Sequence, residues 1–221
     1  MLRGVWAALA LWGAAGCAGR HVVAESPARP GSSPRFSAGS RDRAVRLARS
    51  ALGGKRVRFN GQSYPSDCTG FIAGVYDQLG AKLLSEGRRG DNGVTAIYRY
   101  AARHGRVFHG GRPLPGDLVF FRETYDQNRD GRLNDGLTHI GLVESVDGAG
   151  TVTLIHRVTR GVVRYRMNLA QRNLRRDPRT DRPLNDYLRK ASARGGGALT
   201  AQLFGGYATL LPAERTTFAS R

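Results

Sequence analysis

A chain of 221 residues, with 40% hydrophobic and 24% charged side chains, is long enough to bury one core and too rich in periodic apolar segments to be disordered throughout. No run approaches the roughly 18 apolar residues of a bilayer-spanning helix, and two cysteines, Cys17 and Cys68, are too few for a disulfide framework or a cysteine-based zinc site. The net charge of +18 comes mostly from arginine spread from Arg3 to Arg221; it favours polyanions in general, but no zinc-finger, basic-zipper or RRM pattern accompanies it, so specific nucleic-acid binding is not expected.

In chain order, residues 1–16 (MLRGVWAALALWGAAG) carry one arginine, an apolar run and small residues, the pattern of a secretory signal. Ala14-Ala15-Gly16-Cys17 resembles the lipobox of bacterial lipoproteins, which implies a lipidated Cys17; a plain signal peptide cut nearby is the alternative. Ala18 in the next position implies, by the usual lipoprotein sorting pattern, retention at the outer membrane of a Gram-negative cell, facing the periplasm. Residues 17–40 are Pro, Ser, Gly, Ala and Arg with little apolar periodicity, and read as a flexible linker.

The folded part begins with a helix expected over 41–52, capped by Ser40 and ended by Gly53-Gly54. A loop with Asn60-Gly61 and Tyr64-Pro65 leads to a second helix, capped by Asp67, whose buried stripe is Phe71, Ile72, Val75 and Leu79. A third helix is expected near 92–103. After Pro113 and Pro115 the period changes, and 117–121, 139–146, 152–158 and 162–167 read as strands. Helices followed by an antiparallel sheet make the fold α+β, with a domain over 41–167. Residues 168–221 form an extension whose final apolar run, LTAQLFGGYATLL, is expected to pack back on the domain.

Cys68 falls in the first turn of the second helix, directly after its capping Asp67. Unpaired N–H groups and the helix dipole favour a thiolate there, so a lowered pKa and a nucleophilic role are expected. A cysteine on an amphipathic helix is also a common core residue, and the surrounding motifs decide between the two. Ser66-Asp67-Cys68-Thr69-Gly70-Phe71-Ile72 resembles the D-C-S-G-F-V motif of the NlpC/P60 family of cell-wall cysteine peptidases. The family's P-G-D strand follows as Leu114-Pro115-Gly116-Asp117, its strand-opening histidine as Thr138-His139-Ile140-Gly141, and its third polar residue as His156 in Thr153-Leu154-Ile155-His156. The match covers about residues 41–166.

This resemblance implies a papain-like core with N-terminal helices packed on an antiparallel sheet. It implies Cys68 as nucleophile, His139 as base and later acid, and His156 as the group that orients His139. Tyr64 matches a tyrosine beside the family's catalytic centre and is expected to contact substrate, while Asp67 reads as a cap. His104 and His109 lie outside the pattern and read as surface. The implied substrate is a peptidoglycan stem peptide, cut at an amide through an acyl-enzyme, without a cofactor for the chemistry and by a monomer. Three readings stand beside it: a CHAP-type amidase or endopeptidase, which shares the Cys–His order and the P-G-D strand; acyl transfer to an amine; and a non-catalytic wall-binding lipoprotein of the same fold.

One segment departs from the family. Asp126, Asn128 and Asp130, followed by Gly131, resemble the first half of an EF-hand calcium loop and imply a structural Ca²⁺. The twelfth position is Leu137 where a bidentate Glu is needed, so Asp135 or Glu123 would have to substitute; a solvated Asx-rich turn explains the same residues.

Overall fold

In the computed structural model, the described residues are 36–37, 39–191 and 196–213. The signal and lipobox at residues 1–17, and most of the linker, lie outside them.

Three helices form where the apolar periodicity places them. Helix α1 (Ser40–Ser50) buries Ala44, Val45 and Ala48. Its N-cap is Gly39 in a left-handed conformation (φ 81°), not Ser40, which is the first helical residue and is buried. The turn onto this helix needs a positive φ that serine adopts at a cost and glycine does not. Helix α2 (Cys68–Asp77) buries Phe71, Ile72, Val75 and Tyr76, side chains each worth about 1.5–3 kcal/mol when removed from water. Helix α3 (Gly93–His104) starts at Asn92, whose side chain accepts from the Thr95 amide, and buries Val94, Ile97 and Tyr100.

The loop expected before α2 is a hairpin, β1 (Val57–Phe59) and β2 (Gln62–Tyr64), turned by Asn60-Gly61 with φ of 46° and 81°. Two successive positive φ values are what a type I′ turn requires, and Asn-Gly supplies them. The hairpin lies against α2: a Cβ on Gly74 would meet the Phe59 and Tyr64 rings at 2.9 Å.

The central sheet contains β3 (Arg106–Phe108), β4 (Leu118–Arg122), β5 (Leu137–Val146), β6 (Val152–Val158), β7 (Gly161–Met167) and β10 (Phe204–Thr209). Its order is β3-β10-β4-β5-β6-β7, antiparallel throughout. A separate two-stranded sheet pairs β8 (Tyr187–Arg189) with β9 (Ala198–Leu199).

The sheet runs across the boundary expected at residue 167. Strand β10 is hydrogen-bonded between β3 and β4, so the extension is woven into the domain. The extension also covers the second face of the sheet. Leu118 and Phe120 of β4 join the helix-side core, while Val119 and Phe121 join a second core with Ala198, Ala201 and Leu203. Side chains alternate along a strand, so an uninterrupted Leu-Val-Phe-Phe needs cover on both sides. Buried amides pin the extension: the Asn168 amide donates to Asn185 Oδ1 (2.8 Å), and Asn168 Nδ2 donates to Thr151 Oγ1 (3.0 Å).

A buried ion pair ties the two ends of this domain to the P-G-D turn. The Arg41 guanidinium, on α1, donates to Asp117 Oδ1 (2.8 Å) and to the carbonyls of Pro115 (2.8 Å), Leu211 (2.6 Å) and Pro212 (2.8 Å). The other Asp117 oxygen accepts the Leu114 amide at 2.8 Å. The Asp of P-G-D is therefore a brace, and Gly116 beside it takes the positive φ of the turn (86°).

Candidate active site

The four residues Asp67-Cys68-Thr69-Gly70 each have a mechanical reason to be where they are. Asp67 Oδ1 accepts from the Gly70 amide at 2.7 Å and from Thr69 Oγ1 at 2.9 Å, closing the N-cap. A side chain on Gly70 could not be accommodated, because its Cβ would lie 2.0 Å from the Pro65 carbonyl oxygen. The cap and the close approach fix Cys68 as the first residue of α2, half-buried, where the cap takes the Gly70 amide and leaves those of Cys68 and Thr69.

Strand β5 supplies the partner. His139 is paired across from Phe121 of β4, and the backbone amide of the next residue, Ile140, acts on the Cys68 thiol to lower its pKa. Cys68 and His139 line one cleft of about 530 Å³, with Tyr125, Arg157 and Leu188 on its walls. His156, on β6, is fully buried behind His139; its Nδ1 lies 2.8 Å from His139 Nε2. Gly141 makes this approach possible. A Cβ there would meet Leu154 Cδ1 at 2.8 Å and His156 Cβ at 3.3 Å, so any side chain would press β6 and His156 away.

With Nε2 committed to His156, the imidazole nitrogen of His139 left for the thiol is Nδ1. The arrangement can therefore run sulfur, imidazole, imidazole in series, which is the logic of a nucleophile, a base and an orienting group.

The electrostatics differ from the helix-terminus expectation. Burial pushes the Cys68 thiol up to about 11, with the adjacent Asp67 carboxylate acting in the same direction. The amides of Ile140, Thr69 and Cys68 pull it down without offsetting that. Burial lowers His139 to about 4 and holds His156 well below its ordinary value. Both directions favour a neutral thiol and a neutral imidazole at neutral pH, which leaves proton transfer to the reaction with substrate. Only the thiolate alkylates, and iodoacetamide labelling of Cys68 should therefore be slow at neutral pH and rise steeply towards pH 11. A rate that levels off below pH 8 would mean a thiolate already formed.

Tyr64 does not line this cleft. Its hydroxyl donates to Asp77 Oδ2 (2.9 Å) and accepts from Gln78 Nε2 (3.0 Å). It borders a neighbouring cavity of about 410 Å³, which shares Asp67 with the cleft. The walls of the cleft were the part hidden in the sequence. Tyr125 comes from the insertion between β4 and β5, Arg157 directly follows His156 and is oriented by the Lys55 carbonyl (2.9 Å from Nη2), and Leu188 belongs to the extension. Of these only Arg157 carried a signal, its place next to a motif residue.

The insertion is laced by its own side chains. Asp126 Oδ2 accepts the Gly131 amide (3.0 Å), Asn128 Oδ1 the Asp130 amide (2.9 Å), and Asp135 the amides of Gln127 and Asn128 (2.8 and 3.2 Å). These are the side-chain to backbone bonds of an Asx-rich turn. Among the described residues no group of three or more His, Cys, Asp or Glu converges as a metal site.

The CHAP domain family matches residues 58–157, a span that runs from β1 past His156 and leaves the extension outside it. No curated protein matches the chain. CHAP domains are typically hydrolases acting on peptidoglycan. Residues 58–157 are thus similar to the CHAP domain family, which is related to the NlpC/P60 papain-like cysteine peptidases that the motifs around Cys68 resemble.

Proposed function

We propose that this chain hydrolyses an amide bond of peptidoglycan through a thioester on Cys68. The single observation that carries the reading is the cleft lined by both Cys68, at the start of α2, and His139, itself hydrogen-bonded to His156 at 2.8 Å. In the reaction, His139 Nδ1 takes the thiol proton as the sulfur attacks the carbonyl carbon. The amide N–H groups of the first turn of α2 stabilise the developing oxyanion. The C–N bond breaks, and the amine leaves with the proton that His139 held. Water, deprotonated by the same nitrogen, then releases the acid and restores the thiol. Throughout, His156 orients the imidazole and stabilises its charged form.

Within this class, the D-C-T-G-F segment favours an NlpC/P60-like endopeptidase within the stem peptide, and the domain match favours a CHAP-type amidase or endopeptidase. Both use the chemistry above. The strong positive charge suits an anionic wall polymer. The lipobox-like Cys17 supports a chain exported and held at the outer membrane by an acyl anchor, with the linker giving it reach.

The test is incubation of the full chain with purified sacculi and mass spectrometry of the soluble products. Fragments with new amine ends are expected, and their masses name the bond. Binding to sacculi without any release would favour a wall-binding protein instead. In cells fed an alkyne palmitate, label is expected on the wild-type chain and not on a Cys17→Ala variant.

A further inference from the structure

His156 is more than the second half of a histidine pair, because its far nitrogen has its own requirement. The side chain is fully buried, Nδ1 faces His139, and Nε2 is buried with no hydrogen-bond partner among the described residues. Buried polar atoms of this kind are rare and call for a reason.

Burial, His139 and the positive charge of Arg160 all disfavour protonation of His156, so the ring is neutral and carries one proton. Two arrangements are then possible. If the proton is on Nδ1, it is donated to His139 Nε2, and His139 must carry its own proton on Nδ1, the nitrogen that His156 leaves for the thiol. Such a His139 has no lone pair with which to take the thiol proton. If the proton is on Nε2, His156 Nδ1 accepts from His139 Nε2–H, and His139 Nδ1 is free to act as base. What selects between them lies on the hidden side of the ring.

The aromatic ring packed most closely against His156 is that of Tyr165. Its ring centroid is 4.4 Å from that of His156, at an interplanar angle of 63°. This close, steeply inclined pairing is suited to an N–H donated to an aromatic face and poorly suited to a lone pair aimed at one. Tyr165 is in turn held: it sits on β7, packs in the core on the second face of the sheet, and its hydroxyl accepts from Arg160 Nη2 at 3.3 Å, with the guanidinium carbon 5.5 Å from the ring centre.

We propose that Tyr165 is a positioning residue that fixes the tautomer of the histidine pair: its ring receives the Nε2–H of His156, and thereby leaves His139 Nδ1 unprotonated towards Cys68. The inference rests on the hydrolase reading for its kinetic consequence, but the tautomer can be measured without any substrate.

The experiment is a nitrogen-15 imidazole NMR spectrum of the full chain at neutral pH, with His156 assigned from a His156→Gln variant. A protonated Nε2 and an unprotonated Nδ1 on His156 are expected. Tyr165→Phe keeps the ring and should keep this spectrum and kcat within about twofold. Tyr165→Leu removes the aromatic face; the His156 proton should redistribute to Nδ1, and kcat should fall roughly tenfold with KM unchanged. A wild-type His156 protonated on Nδ1 would overturn the proposal, as would a Tyr165→Leu protein with an unchanged spectrum and full kcat. If Tyr165→Leu fails to fold, the wild-type and Tyr165→Phe spectra still decide. A chain with the expected tautomer but no hydrolysis of sacculi would support the tautomer assignment and count against the hydrolase reading alone.

Discussion

Cys68→Ala is expected to abolish fragment release from sacculi, with a loss of roughly 10⁴-fold or more in kcat, because the route through a thioester needs its sulfur. The fold should survive, since the sulfur is half-buried and alanine fits the first turn of a helix. His139→Ala should cost nearly as much, and the double variant hardly more than either single one, because the two residues act as one unit. His156→Ala should cost less, about 10²- to 10³-fold, since it removes orientation and not the base. If Cys68→Ala retained even a tenth of the activity, the thioester route would be wrong.

The second large effect is on stability. Asp117→Ala leaves the Arg41 guanidinium buried at 6% exposure without its counter-ion, and frees the Leu114 amide as well. Stranding one member of a buried ion pair costs about 3–5 kcal/mol, which for a domain of this size lowers Tm by roughly 10 °C. Arg41→Ala should cost a similar amount, for it strips donors from the carbonyls of Pro115, Leu211 and Pro212 together. The double variant should be less destabilised than the sum, because neither charge is then left alone. Calorimetry of the four proteins checks this. Strict additivity would mean that the two groups do not act as a pair. In either case a large loss of stability identifies the Asp of P-G-D as a residue that holds the fold.

What the sequence shows most clearly is the part governed by local rules. Asp67 caps α2 and Asn92 caps α3 through the bonds their side chains are suited to make. Strands β4 to β7 follow runs of apolar and β-branched residues, and Cys68, His139 and His156 fall on the start of a helix and on two strands of one sheet. The hairpin at Asn60-Gly61 was legible in principle, because that dipeptide between two short strands is a turn signal in itself. The uninterrupted Leu118–Phe121 run likewise states that both faces of the sheet are covered, and so requires something like the extension.

Other features depend on contacts distant in sequence. Nothing local in Phe204–Thr209 says that it will slot between β3 and β4, because the register is set by strands about ninety residues earlier. Leu188 and Tyr125 reach the cleft only through the packing of the extension and the insertion, which the Arg189 side chain links by donating to the Glu123 carbonyl at 2.8 Å. The raised thiol has the same origin. A helix start alone favours the thiolate, and it takes the tertiary enclosure of Cys68 to reverse the sign.

The most direct measurement is on the intermediate itself. The full chain is mixed with soluble stem-peptide substrate, quenched in acid within the turnover time, digested, and the peptide bearing Cys68 is weighed. The account requires an added mass equal to the acyl half of the substrate, labile to hydroxylamine as a thioester is, and absent from His139→Ala. Product formed at full rate with an unmodified Cys68 at every quench time, and undiminished in Cys68→Ala, would contradict it.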